Sequence, residues 1–233
     1  MEDPWPLRHL VLRTPRLELR PDDDAGLLEL AEEALRGVHP PDRMPFGIPW
    51  TDADPRYIGR GTLQYHWSKR AQLAPEDWTI GFLVRLDGRV IGVQDVTGRQ
   101  FGTTREVSTG SWIGMRHQRR GIGTEMRAAV LLFAIDHLGA ERARSSAFAD
   151  NAASLRVSEK LGYRPDGTEW LIRRGERAEQ VRLLLRAADL VRPAWTLQVE
   201  GVEACLPLLQ AGPAQPRSTP RANVSQDAGS PDR

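Results

Sequence analysis

The run Gln118-Arg119-Arg120-Gly121-Ile122-Gly123-Thr124 joins two arginines and two glycines to the start of a helical pattern. That combination suits phosphate binding. The first N–H groups of a helix have no partner within it, and the aligned peptide dipoles make that end electropositive. Glycine lets the backbone approach a ligand without a Cβ in the way. Arginine adds charge-assisted hydrogen bonds. Together these features form a cradle for a pyrophosphate. Other glycine-rich phosphate motifs fit less well. A dinucleotide fingerprint asks for Gly or Ala where Met126 stands, and its first glycine would follow the strand more directly. A Walker loop needs Gly-Lys-Ser/Thr, which the chain lacks. The same residues also suit a glycine-softened loop entering a helix.

Further side chains could carry chemistry. Asn151 and Ser154 open a second helical pattern, either as a cap with a polar first turn or as ligand contacts. Glu106 and Ser108 lie on one face of a strand, and Asp95 lies on a neighbouring one. Cys205 has no histidine beside it in sequence, so a covalent thiol route has no support. His9, His39, His66, His117 and His137 show no ligand spacing, and no metal is expected.

The elements that position these groups follow from periodicity and punctuation. Arg16–Arg20 alternates as a strand, and Asp22 to Asp24 offer N-caps for a helix through Leu35. Residues 40–49 form a loop punctuated by Pro and Gly. Asp54-Pro55 opens a helix to about Ala71. Strands over 78–86 and 90–96 flank an Asp87-Gly88 hairpin turn, and another strand covers 106–113. A long helix spans Gly121–His137, with Ile122, Met126, Val130 and Phe133 on one face. A strand over 142–149, a helix over 151–161 stopped by Gly162, and a hairpin around Arg174-Gly175-Glu176 complete the pattern. The order β-α-α-β-β-β-α-β-α-β-β predicts an α/β domain with a mixed sheet. Residues 1–13 are expected to form a flexible lead-in and 14–192 the domain. Residues 193–211 are expected to pack back as an extension. The segment 212–233, rich in Pro, Ser, Ala, Gln and Asp, reads as a disordered tail.

Composition sets the bounds. The 233 residues suffice for one domain with a sizeable core. Lys and Arg (32) nearly balance Asp and Glu (31), which gives no reason to expect nucleic acid or a membrane surface as partner. The longest apolar run, Ala128–Ile135, suits a buried helix. A single cysteine and a first segment unlike a signal peptide point to a cytoplasmic setting.

The order of these motifs resembles the GNAT acyltransferases. The pattern is a strand, Gln118-x-x-Gly121-x-Gly123, a helix, a strand, then Asn151-x-x-Ser154 opening a helix that ends Lys160-Leu161-Gly162-Tyr163. It is most similar to the branch holding the ribosomal-protein N-terminal alanine acetyltransferases, over roughly residues 14–187. The resemblance implies a mostly antiparallel sheet with splayed central strands and acetyl-CoA as co-substrate. Its pyrophosphate would lie on the amides of residues 118–124, with Asn151 and Ser154 beside the cofactor.

The resemblance also implies roles. A backbone N–H of Trp112 or Ile113 would hold the thioester oxygen, and Ser154, matching the serine of the related N-terminal acetyltransferases, is the candidate acid for the leaving thiolate. Glu106 is the first candidate base and Asp95 the second. The segment between the first strands would form the acceptor wall, carrying Met44, Phe46, Trp50, Tyr65 and Trp67. Aromatic faces attract cations, so a small or peptide primary amine with an apolar body is expected. The same side chains equally suit a loop core or a homodimer contact. The leading expectation is acetyl transfer to a primary amine by direct attack in a ternary complex. The alternatives are N-terminal acetylation of a specific protein and a non-catalytic acyl-CoA sensor.

Overall fold

The computed structural model describes residues 3–212. Its centre is a nine-stranded sheet in the order β7-β8-β6-β5-β4-β3-β2-β1-β9. The strands are β1 (Val11–Arg13), β2 (Leu17–Pro21), β3 (Asp77–Leu86), β4 (Arg89–Arg99), β5 (Glu106–Ile113), β6 (Arg142–Phe148), β7 (Arg164–Arg173), β8 (Glu176–Arg186) and β9 (Gln198–Glu200). Every pairing is antiparallel except β5 with β6. The helices are α1 (Asp24–Leu35), α2 (Pro55–Gln72), a single turn α3 (Phe101–Thr104), α4 (Ile122–Leu132) and α5 (Ala152–Lys160).

Local chemistry explains the boundaries. Asp23 caps α1 by accepting the Gly26 amide at 2.7 Å. Asp54 caps α2 in the same way, with Pro55 in the first turn. Asp87 and Gly88 both take positive φ (51° and 77°), as the tight hairpin between β3 and β4 requires. The end of the expected long helix, Phe133–His137, is a π turn that continues α4.

Two cores lie on opposite faces of the sheet. On one, Leu27 and Leu30 of α1 pack with Leu83, Val90 and Val93. On the other, Phe133 meets Phe82 edge to face at 5.8 Å, within the large cluster that holds Ile122, Met126 and Val130. This second core corrects the flexible lead-in expected over 1–13. Leu7, Leu10, Val11 and Leu12 are buried, and β1 pairs with both β2 and β9. The apolar residues Leu7, Leu10 and Leu12 complete a core that only the folded sheet creates. After β9, Val202, Cys205 and Leu209 are buried, and the Trp78 Nε1–H donates to the Leu209 carbonyl at 3.0 Å. The tail expected to be disordered lies outside the described residues from 213 onward.

Candidate active site

The glycine turn is built as a helix entry. Gly121 is the N-cap of α4 at φ +78°, where a Cβ would meet only Arg16 Nη2, at 3.5 Å. The Thr124 and Glu125 amides turn back to the Gly121 carbonyl. The amides of Ile122 and Gly123 have no partner within the helix. Arg119 and Arg120 are exposed. Glu125 is buried in the first turn, yet its carboxylate is engaged by Thr14 Oγ1 (2.6 Å) and Arg16 Nη2 (2.5 Å). Arg16, just before β2, also donates to the Arg120 carbonyl at 3.1 Å, tying the start of that strand to the turn. These features fit a pyrophosphate. The Gln118 side chain does something else: it donates to the Val38 (2.7 Å) and Ile113 (3.0 Å) carbonyls, fastening the turn to the loop after α1. A cleft of about 390 Å³ opens beside the turn, lined in part by Arg16, Thr124, Lys160 and Trp195.

The strands leading into the turn separate. β5 and β6 pair only through Glu106↔Arg142, Val107↔Ala143 and Ser108↔Arg144. From Thr109 on they diverge, and Trp112 and Ile113, still paired with β4, have no partner on β6. A second cleft, of about 410 Å³, opens on the α1/α2 face, lined by Asp95, Ser108, Gly110, Arg144, Glu169 and Arg182 among others.

Asp95 is central to this cleft. It stands opposite Gly81 on β3 and Gly110 on β5. A Cβ on Gly110 would meet nothing within 4 Å, whereas one on Gly81 would lie 3.1 Å from His66 Nδ1. The space over Gly110 is therefore open, while an imidazole fills the space over Gly81. Asp95 Oδ1 is buried without a hydrogen-bond partner. Burial pushes its pKa up to about 6, the nearby His66 pulls it down, and the Asp22 carboxylate pushes it up. Tyr65 is raised to about 12, by burial first and then by the charge of Asp95.

The other expected site residues fall in distinct places. Glu106 is at the closed end of the splay and accepts from Arg144 Nε at 2.7 Å. Asn151 Oδ1 caps α5 by accepting the Ser154 amide at 3.1 Å, with Ser154 half-buried in the first turn. Phe46, Trp50 and Trp112 form a row of tilted ring contacts with centroids 5.3 and 5.6 Å apart, and His39 meets Phe46 edge-on at 5.7 Å. Tyr65 faces Asp95 from α2, but Trp67 points elsewhere and donates to Asp24 Oδ1 at 3.0 Å. Cys205 is buried, and burial pushes its thiol up to about 11. Among the described residues no three His, Cys, Asp or Glu side chains cluster as metal ligands, and no helix is long and apolar enough to cross a membrane.

Sequence spacing missed several contributors. The hairpin between β7 and β8 clamps the 39–52 loop: Arg174 pairs with Asp52 (2.6 Å) and donates to the Pro41 carbonyl (2.9 Å), while Arg173 donates to the Met44 carbonyl (3.2 Å). Arg127, fully buried on α4, donates to Ser158 Oγ at 2.9 Å, and burial lowers its pKa. A lone arginine inside an apolar helical run was the available signal for it.

A strand that separates from its neighbour, then a glycine-capped helix with free amides, is an acyl-CoA-binding arrangement, and the family comparison agrees. The model of the acetyltransferase (GNAT) domain matches residues 10–164. The chain belongs to the GNAT acetyltransferase family. This GNAT enzyme is an N-acetyltransferase, with acetyl-CoA as its co-substrate and an amine as acceptor. Solved structures share the fold. Mycobacterium smegmatis RimJ in complex with CoA-disulfide is 19% identical with TM-score 0.63, over 92% of this chain and 100% of that one. RimL, a ribosomal L7/L12 alpha-N-protein acetyltransferase in complex with coenzyme A, is 16% identical with TM-score 0.61, over 76% and 97%. The microcin C7 self immunity acetyltransferase MccE, in complex with acetyl-CoA and AMP, is 14% identical with TM-score 0.58, over 74% and 93%.

Proposed function

We propose that this GNAT enzyme acetylates a primary amine with an apolar body, that the amine attacks the thioester directly, and that Asp95 takes its proton. The observation that carries the proposal is the Asp95 carboxylate, buried beside Gly110 where β5 leaves β6, with Oδ1 unpartnered. Bound acetyl-CoA supplies the activated acetyl group. The amides of Ile122 and Gly123 hold its pyrophosphate, helped by Arg119 and Arg120.

Asp95 displaces Glu106 as first candidate base on geometry. A base must reach the amine in the open part of the gap. Glu106 lies where the strands are still paired and is engaged by Arg144. Asp95 lines the open cleft, and burial raises its pKa toward the working range of a general base. The acceptor wall is the stack of Phe46, Trp50 and Trp112, with Tyr65 on the opposite flank. Ser154, in the first turn of α5, faces the leaving sulfur.

A second reading, acetylation of a protein N-terminus, is favoured by the likeness to RimJ and to the ribosomal-protein enzyme RimL. A thiol-release assay over small arylalkyl amines, polyamines and N-terminal peptides separates the readings. Turnover confined to one peptide sequence would replace the small-amine acceptor with a protein terminus. Binding of acetyl-CoA without turnover on any amine would leave a sensor.

A further inference from the structure

Behind Asp95 lies a pair of titratable groups that are deeply buried and separated in sequence. His66 Nδ1 donates to Asp22 Oδ2 at 2.8 Å, with side chains only 4% and 5% exposed. An ionised carboxylate only accepts, so Asp22 fixes the proton on Nδ1 and leaves Nε2 as the second face of the ring. Arg70 Nε approaches the other Asp22 oxygen at 3.3 Å. The ring fills the space left by Gly81, whose hypothetical Cβ would lie 3.3 Å from both His66 Cε1 and Asp22 Oδ2. Gly81 is the direct cross-strand partner of Asp95. Cβ positions so paired are about 4.5–5.5 Å apart, so the imidazole stands directly beside Asp95.

We infer that the Asp22–His66 pair is a positioning device for the base. Asp22 holds the imidazole over Gly81, and the ring stands between Asp95 and the Asp22 carboxylate, whose charge would otherwise oppose the ionised base. This inference rests on the reading of Asp95 as proton acceptor. It accounts for a histidine buried over Gly81 and for the glycine that the strand opposite Asp95 carries. Without the imidazole, Asp95 would face a second carboxylate across the Gly81 position. Like charges at that range hold one group protonated.

Other charged groups face Asp95 as well. From α2 come Tyr65 and Lys69, the Lys69 Nζ lying 5.4 Å from the Tyr65 ring centre. Across the cleft stand Arg144, Glu169 and Arg182. Arg144 is occupied by Glu106 and Asp166, and Arg182 donates to the Asp166 carbonyl. On the closed side of the base, behind Gly81, stands the Asp22–His66 pair, with Arg70 on the far oxygen of Asp22.

The test is the pH profile of kcat/KM for the amine. His66→Gln removes the intervening ring and keeps a polar side chain. Its acid limb should move up by about one pH unit, with the KM for acetyl-CoA unchanged. Adding Asp22→Asn should bring the limb back toward the wild-type position. Gly81→Ala, which pushes the ring aside, should shift the limb in the same direction as His66→Gln and covers the case in which that variant fails to fold. A limb that stays at the wild-type pH in the folded variants, or a loss uniform at every pH, overturns the inference. Asp95→Asn separates the two levels. If it turns over normally, the reading of Asp95 is wrong. If it is inactive while the limb of His66→Gln is unmoved, only the role of the pair is lost.

Discussion

Gly114 and Glu33 compete for one volume: a Cβ on Gly114 would overlap the Glu33 carboxylate, which is fully buried. That carboxylate accepts from Arg116 Nε at 3.1 Å and from Arg36 Nη1 at 3.3 Å, so α1 anchors the chain just before the cofactor turn. His117 packs against the same group at 3.5 Å, and burial lowers its pKa. Gly114→Ala should destabilise the fold by about 1–3 kcal/mol through overpacking. Chemical denaturation measures this directly, and an unchanged midpoint would show that Glu33 can move aside.

The cofactor turn is best tested at Gly123. A Cβ there would meet only Val157 Cγ2, at 3.8 Å, and its φ is not positive. Gly123→Asp thus adds a negative charge at the amides without the backbone strain of a change at Gly121. The variant should keep the Tm of the ligand-free protein and lose most of the rise that acetyl-CoA gives, since only a ligand binding the folded state raises Tm. A full rise would place the pyrophosphate elsewhere.

Asp95→Asn should lower kcat/KM by about 10²–10⁴-fold, the usual contribution of a general base. Glu106→Gln should change it little. In the wild type, kcat/KM should fall as pH drops below about 6, because the base acts only when ionised. The stability effect has the opposite sign. A carboxyl whose pKa is raised on folding binds its proton more tightly in the native state, so ionised Asp95 destabilises the fold. That penalty is fully present above about 6 and disappears as pH falls below the ordinary 3.8. Asp95→Asn should therefore raise Tm at neutral pH while it removes turnover. A lower Tm would mark Asp95 as structural.

The proposed acceptor wall sits on a loop clamped by the Arg174–Asp52 pair. The pair is partly exposed, so its loss should change stability by about 1 kcal/mol or less. Arg174→Ala should instead loosen the loop that carries Phe46 and Trp50. The acceptor KM should rise several-fold in Arg174→Ala and more in Trp50→Ala, with acetyl-CoA affinity unchanged in both. Equal acceptor KM values would make the stack a loop core.

Cys205 lies in the C-terminal extension and donates to the Gly201 carbonyl at 3.3 Å. Its thiol is held protonated by burial, so Cys205→Ala should retain turnover with sequential kinetics. An acyl group found on this sulfur by mass spectrometry would replace direct attack with a two-step route.

The sequence by itself determined the features whose causes are local. The Gly121 cap, the Asp87-Gly88 hairpin and the capping of helices by Asp23, Asp54 and Asn151 each follow from a few neighbouring residues with fixed conformational preferences. The motif order from 106 to 163 was enough to identify the family. Tertiary structure decided which carboxylate faces the gap. Glu106 and Asp95 are equivalent as strand residues, and only the point where β5 leaves β6 sets them apart. Tertiary structure also joined Asp22 to His66, Glu33 to Arg116 and Asp52 to Arg174, pairs separated by 44, 83 and 122 residues. Nothing in local spacing encodes such pairs, because their partners meet only once the sheet has folded. The segment through β1 is illegible for the same reason: its buried leucines, Leu7, Leu10 and Leu12, show no local period, and the surface that covers them includes β9 and the residues up to Leu209.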